Sequence, residues 1–142
     1  LQLQELRLLL LSCKPEGSLE HCWNWQSPVI EILETLQRRG KQYNGHPVSS
    51  GYFGSYCMDG LALALHAVAH TSSFHRAIER AVNFLGDADT VGAIAGQIAG
   101  AFYGYEGIDS RYVEPIQKWD HNEIVCRAIV CFMLGSELDR NS

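Results

Sequence analysis

The chain has 142 residues, 46% of them apolar and 19% charged, with a formal net charge of −5. That length suits one compact domain able to bury roughly 70% of its unfolded surface without disulfide staples. The charge balance argues against a phosphate-binding face, which needs clustered Lys and Arg, so no nucleic-acid surface is expected.

Residues 1–12 read as the end of a helix. Their leucines are too few for a signal core and are interrupted by Arg7. No Met precedes Leu1, so the chain is expected to be a fragment that begins inside a longer protein. Residues 15–25 are irregular; Trp23 and Trp25 within them read as core anchors rather than a stacking platform. Ser27 followed by Pro28 reads as a helix start, a hydroxyl cap before a first-turn proline. Val29, Ile32, Leu33 and Leu36 then recur at helical spacing, and Gly40 stops the run. Arg38, Arg39 and Lys41 suit that helix's C-terminal dipole.

Residues 41–56 form a long loop rich in Gly, Ser, Tyr and His. Residues 58–70 are helical and almost wholly apolar, which predicts burial on most sides. Ser72 or Ser73 caps a helix through Ala77, Ile78, Ala81, Val82 and Leu85, and a further helix spans residues 89–105. No element is read between Tyr105 and His121; a last helix runs from His121 to about Leu138. No strand alternation of any length occurs, so the class is all-α.

Five cysteines (Cys13, Cys22, Cys57, Cys126 and Cys131) make an odd set with no CxxC pair. That is neither a disulfide framework nor a zinc pattern, and a reducing, cytoplasmic setting is expected. Cys126 and Cys131 are expected to pack as small apolar residues. His66 and His70 stand at i and i+4, a spacing that suits zinc, but no HExxH accompanies them and a structural place is favoured.

The informative stretch is residues 86–104, GDADTVGAIAGQIAGAFYG. Gly92, Gly96, Gly100 and Gly104 recur every fourth position along one helical face. An interior helical Gly costs about 1 kcal/mol relative to Ala, so close packing against a neighbouring helix is expected to offset it. This helix is therefore expected to be the most buried. A membrane span is not expected, because the apolar run is short and contains Gln97. Asp87 and Asp89, one residue apart and followed by Thr90, stand where a loop enters the helix. Two readings remain open: N-terminal caps, or oxygen ligands of the kind Mg²⁺ takes.

This run resembles the signature of the ADP-ribosylglycohydrolase family, an Asp-x-Asp-Thr/Ser element opening a Gly- and Ala-rich helix. Residues 51–56 (GYFGSY) and 58–66 (MDGLALALH) resemble the loop and buried helix that precede it. Residues 74–85 match the helix leading in, and residues 119–133 the closing helix. The resemblance implies a single all-α domain of which residues 1–142 are the carboxyl-terminal part. It implies a binuclear magnesium centre (Mn²⁺ serving as well) with Asp87, Asp89 and Thr90 as ligands. Asp89 would bridge both ions and be the catalytic residue. It implies hydrolysis of the glycosidic bond between ADP-ribose and an acceptor, either a modified protein side chain or a small ADP-ribose conjugate. Tyr52, Phe53, Gly54, Ser55 and Tyr56 are expected to wall the adenosine or ribose, the alternative being a packed core loop. The family's other ligands, a Thr-Asp-Asp element and an acidic gate, are absent from this sequence. The missing amino-terminal half is therefore an expected partner, and the isolated chain is expected to be inactive. Leu85 stands where a second Gly is common. A catalytically silent member with a structural or ADP-ribose-binding role is the competing reading.

Overall fold

The structure, a computed structural model, describes Glu5, Leu8 and residues 23–43, 46–47 and 52–140. The helix expected over residues 1–12 falls outside the described residues except at Glu5 and Leu8, as do Cys13, Cys22 and Gly51. The chain divides into two compact units, Leu1–Gly107 and Ile108–Ser142.

The first unit holds α1 (Ile32–Arg39), α2 (Cys57–Ala69), α3 (Phe74–Val82), α4 (Ala88–Tyr103) and a 3-10 turn at Tyr105–Gly107. Within the long loop, β1 (Gln42–Tyr43) pairs antiparallel with β2 (His46–Pro47). With two residues per strand this hairpin is a loop feature, and the core is built by helices, as the all-α reading expects.

The helix α2 is the centre of the unit. Eight of its residues are buried, from Asp59 and Gly60 to Leu63, Ala64, His66, Ala67, Val68 and Ala69. The expectation that α4 would be the most buried helix is corrected: it buries Val91, Ala95 and Ala99. The near-continuous apolar sequence of α2 gives it buried faces on several sides. The apolar stripe of α4 is only one residue wide, flanked by glycines that are half-covered.

The cap of α3 is Ser73, whose hydroxyl accepts the Arg76 amide at 3.2 Å. The helix then runs antiparallel along the glycine face of α4. A Cβ placed on Gly92 would stand 3.0 Å from Val82 Cγ1; on Gly96, 3.7 Å from Ile78; on Gly100, 4.0 Å from Phe74. Close approach is therefore confined to Gly92, and the two helices diverge from there. At the far end the Tyr103 hydroxyl donates to the Thr71 carbonyl at 2.9 Å.

The start read at Ser27 and Pro28 is displaced: α1 begins at Ile32. The Ser27 hydroxyl accepts the Val29 amide at 3.4 Å in a local turn, and Val29 is exposed. Such short side-chain turns compete with the helix they resemble. Gly40 ends α1 as expected, at φ 64°, with its amide bonded to Leu36.

The second unit holds α5 (Ser110–Asp120) and α6 (Glu123–Arg140). The first of these was not expected; it is capped by Asp109, which accepts the Arg111 amide, and it tolerates Pro115. His121 is not a first-turn residue of the last helix. It ends α5 in the left-handed region at φ 54°, and Asn122 follows at φ 67°. The Asp120 carboxylate then accepts the amides of Asn122 and Ile124 and starts α6. Cys126 and Cys131 are exposed rather than packed, beside exposed Ile129, Val130, Phe132 and Met133. No helix among the described residues is long and apolar enough to cross a membrane.

Candidate active site

Two consecutive left-handed residues, Leu85 at φ 66° and Gly86 at φ 65°, turn the chain into α4. The Leu85 backbone thus takes the conformation that suits Gly, the residue the resemblance leads one to expect there. Gly86 admits no side chain, because a Cβ would lie 2.6 Å from the Phe53 carbonyl oxygen. That carbonyl accepts the Asp87 amide at 2.8 Å. Gly54, at φ 101°, presses on the other side: its Cβ would meet Asp87 Cβ at 2.9 Å and Val91 at 3.0 Å. The turn before α4 and the loop of residues 52–56 therefore form one construction, joined backbone to backbone.

Asp87 occupies the N-cap position of α4 but makes no side-chain capping bond. Its carboxyl instead lies beside the Tyr52 hydroxyl and the Asp89 carboxyl, close enough to act on both. Asp89 is held below the usual carboxylate range, first by hydrogen bonding with Asp87 and then by the amides of Thr90 and of Asp89 itself. Tyr52 is raised above its ordinary value by desolvation, then by the charges of Asp87 and Asp89 and by its bond to Asp87. Of the two readings left open by sequence, the simple cap is not what Asp87 does. Thr90 follows in the same turn, half-buried.

The loop divides by exposure. Tyr52 and Ser55 are exposed and Tyr56 is half-buried, whereas Phe53 and Gly54 are buried. The Phe53 ring packs against Trp23 with centroids 5.9 Å apart. Phe53 and Gly54 thus meet Asp87 through their backbones, while Tyr52 carries a side chain to the carboxyl pair.

Asp59 was quoted only as part of a motif, yet it ties the site to the core. It is 1% exposed, and its oxygens accept the Trp23 indole N–H at 2.6 Å and the Gly54 amide at 3.4 Å. An acid in the first turn of an otherwise apolar helix was the available signal. His66 and His70 form no zinc pair. Both ring nitrogens face the Trp25 carbonyl, Nδ1 of His66 at 3.0 Å and Nε2 of His70 at 3.3 Å. Arg80 donates to His66 Nε2 at 2.8 Å and to the Pro28 carbonyl at 3.2 Å. With Arg80 on Nε2, His66 is the neutral tautomer protonated at Nδ1. Burial, then the charges of Arg80 and His70, lower it to about 4 against the pull of the Trp25 carbonyl. These side chains clamp residues 23–28 onto α2 and α3.

The donor set suits a hard cation. Two ionised carboxyls this close repel unless a proton or a cation lies between them. Mg²⁺ takes carboxylate and hydroxyl oxygens of the kind Asp87, Asp89 and Thr90 offer. Among the described residues no group of three His, Cys, Asp or Glu side chains gathers for a metal.

An ADP-ribosylarginine hydrolase of Pseudomonas putida (strain GB-1) is 46% identical over 66 residues, covering 46% of this chain and 18% of its own. Another, of Serratia proteamaculans (strain 568), is 46% identical over 61 residues, 43% of this chain and 17% of its own. The ADP-ribosyl-[dinitrogen reductase] glycohydrolase of Rhodospirillum rubrum is 36% identical over 94 residues, 66% of this chain and 32% of its own. The matched stretches therefore span less than a third of these relatives' length. No solved structure matches the chain at a significant level. The family model of the ADP-ribosylglycohydrolases matches residues 7–137, through the Asp87 turn and both units, and the chain belongs to that family.

Proposed function

We propose that the protein carrying this chain is a magnesium-dependent hydrolase that cleaves the glycosidic bond between ADP-ribose and its acceptor. The acceptor proposed is a modified protein side chain, arginine first, since two relatives are named for ADP-ribosylarginine. The observation that carries the reading is the Asp87–Asp89 carboxyl pair at the start of α4, in which Asp87 makes no capping bond and acts on Tyr52 instead.

In this reading Asp87, Asp89 and Thr90 would hold Mg²⁺, with Mn²⁺ as a substitute. The remaining ligands come from outside the described residues, including the amino-terminal half that the resemblance implies. The chemistry supplied by Mg²⁺ at such a site is orientation of the ribose hydroxyls and acidification of a water. Cleavage at the anomeric carbon builds positive charge on the ribose, and the ionised Asp89 carboxylate stabilises it. The Tyr52 hydroxyl orients Asp87, and Tyr52, Ser55 and Tyr56 line the approach for ribose or adenosine. Phe53 and Gly54 contribute by backbone. The match over residues 7–137 supports reading the chain as part of one such domain. The compartment proposed is the cytoplasm, supported by the free thiols of Cys57, Cys126 and Cys131.

The full-length protein should release ADP-ribose from an ADP-ribosylated arginine peptide with added Mg²⁺, and EDTA should stop it. Asp89→Asn should lower turnover by at least about a hundredfold, since even outer partners of metal ligands contribute 10–100-fold. Turnover at the full rate by Asp89→Asn would show that this acid is not catalytic. A wild-type protein that binds ADP-ribose yet never releases it from a conjugate would favour the silent member.

A further inference from the structure

Asp87 owes its place to the loop beside it, and that loop is held from behind by a buried acid. Asp59 lies in the first turn of α2 with both carboxylate oxygens used, one by the Trp23 indole and one by the Gly54 amide. Gly60, the next residue, brings α2 so close that its Cβ would stand 3.0 Å from the Gly54 carbonyl oxygen. On its opposite side the same short loop accepts the Asp87 amide at the Phe53 carbonyl and leaves no room between Gly54 and Asp87 Cβ. The path from Asp59 to Asp87 thus crosses two residues, both tightly packed on either side. A buried carboxylate is costly to desolvate, and packing alone would be served better by an apolar residue of similar size.

We propose that Asp59 is a positioning residue: its carboxylate fixes residues 53–54, and through them the setting of the Asp87 carboxyl in the metal-binding pair. Trp23 is the other half of the device, holding Asp59 by its indole N–H. The inference rests on the reading of Asp87 as a metal ligand. Asp59→Asn keeps the shape but replaces one acceptor with an NH₂, which then faces a donor, either the indole or the Gly54 amide. Trp23→Phe keeps an aromatic ring and removes the donor from the other end.

The experiment uses the full-length protein and Mn²⁺ alone, without substrate, reading free Mn²⁺ by electron paramagnetic resonance and folding by circular dichroism. Both variants should weaken Mn²⁺ binding about tenfold, the scale seen for outer-shell partners. The metal concentration for half-maximal turnover should rise in step, while the rate at saturating metal is largely kept. A role in packing alone would lower the folded fraction and leave the affinity of the folded protein unchanged, and that result overturns the inference. If Asp59→Asn does not fold, Trp23→Phe decides on the same criterion. Asp87→Asn separates the two layers: it should abolish binding at this site. If it binds Mn²⁺ like wild type, the metal reading falls and this inference with it.

Discussion

Asp87 and Tyr52 are 35 positions apart in sequence and meet only because Gly54 and Gly86 let two backbones touch. The acids were legible because their spacing and the glycines after them form a long, unusual run. Their partner was not, since a contact between a loop tyrosine and an acid at a helix start is a product of packing. Asp59 was hidden for a different reason: a lone acid in an apolar helix carries no spacing pattern, and its partners Trp23 and Gly54 lie on separate segments. His66 was read correctly as structural, and its environment gives a prediction. Its folded value, about 4, lies below the ordinary 6.5. Above pH 6.5 neither state is protonated there, and the full stability is present. As pH falls from 6.5 toward 4 the unfolded chain takes up a proton that the folded one refuses, so stability drops and then levels off. At 1.36 kcal/mol per unit the limiting loss is about 3 kcal/mol. Urea denaturation from pH 7 to pH 4 should show this fall, and His66→Gln should remove that part of it.

Helices α2, α3 and α4 were legible to within a few residues because long apolar periodicity and a true cap, Ser73, agree with one another. The start of α1 was misplaced because Ser27 uses its hydroxyl on a turn rather than on a helix. The helix α5 escaped because its sequence carries Pro115 and no wide apolar face, and because the cap at Asp109 depends on local geometry. The glycine stripe of α4 was read as one packing device, and the structure separates its members. A methyl group on Gly96 would make ordinary contact with Ile78 at 3.7 Å, so Gly96→Ala should gain about 1 kcal/mol from helix propensity. On Gly92 the same methyl stands 3.0 Å from Val82, a branched side chain with little freedom, and the gain should vanish or reverse. Parallel chemical denaturation of the two variants checks the contrast. Equal stabilisation by both would mean that α3 and α4 do not converge at Gly92.

The family match runs through residues 7–137, so both units are family sequence, although each is described by its own packing. All-α architecture followed from the absence of alternation, and the only pairing described is the two-residue hairpin of β1 and β2. Any further ligands of the proposed metal site lie outside the acids the described residues bring to the start of α4, Asp87 and Asp89. The central claim is that these two carboxyls, neighbours at the start of α4, share a cation in the working protein. The direct measurement is anomalous diffraction from crystals of the full-length protein soaked in Mn²⁺. The account predicts a peak at roughly 2 Å from carboxylate oxygens of Asp87 and Asp89. A saturating soak that leaves no peak there would contradict it.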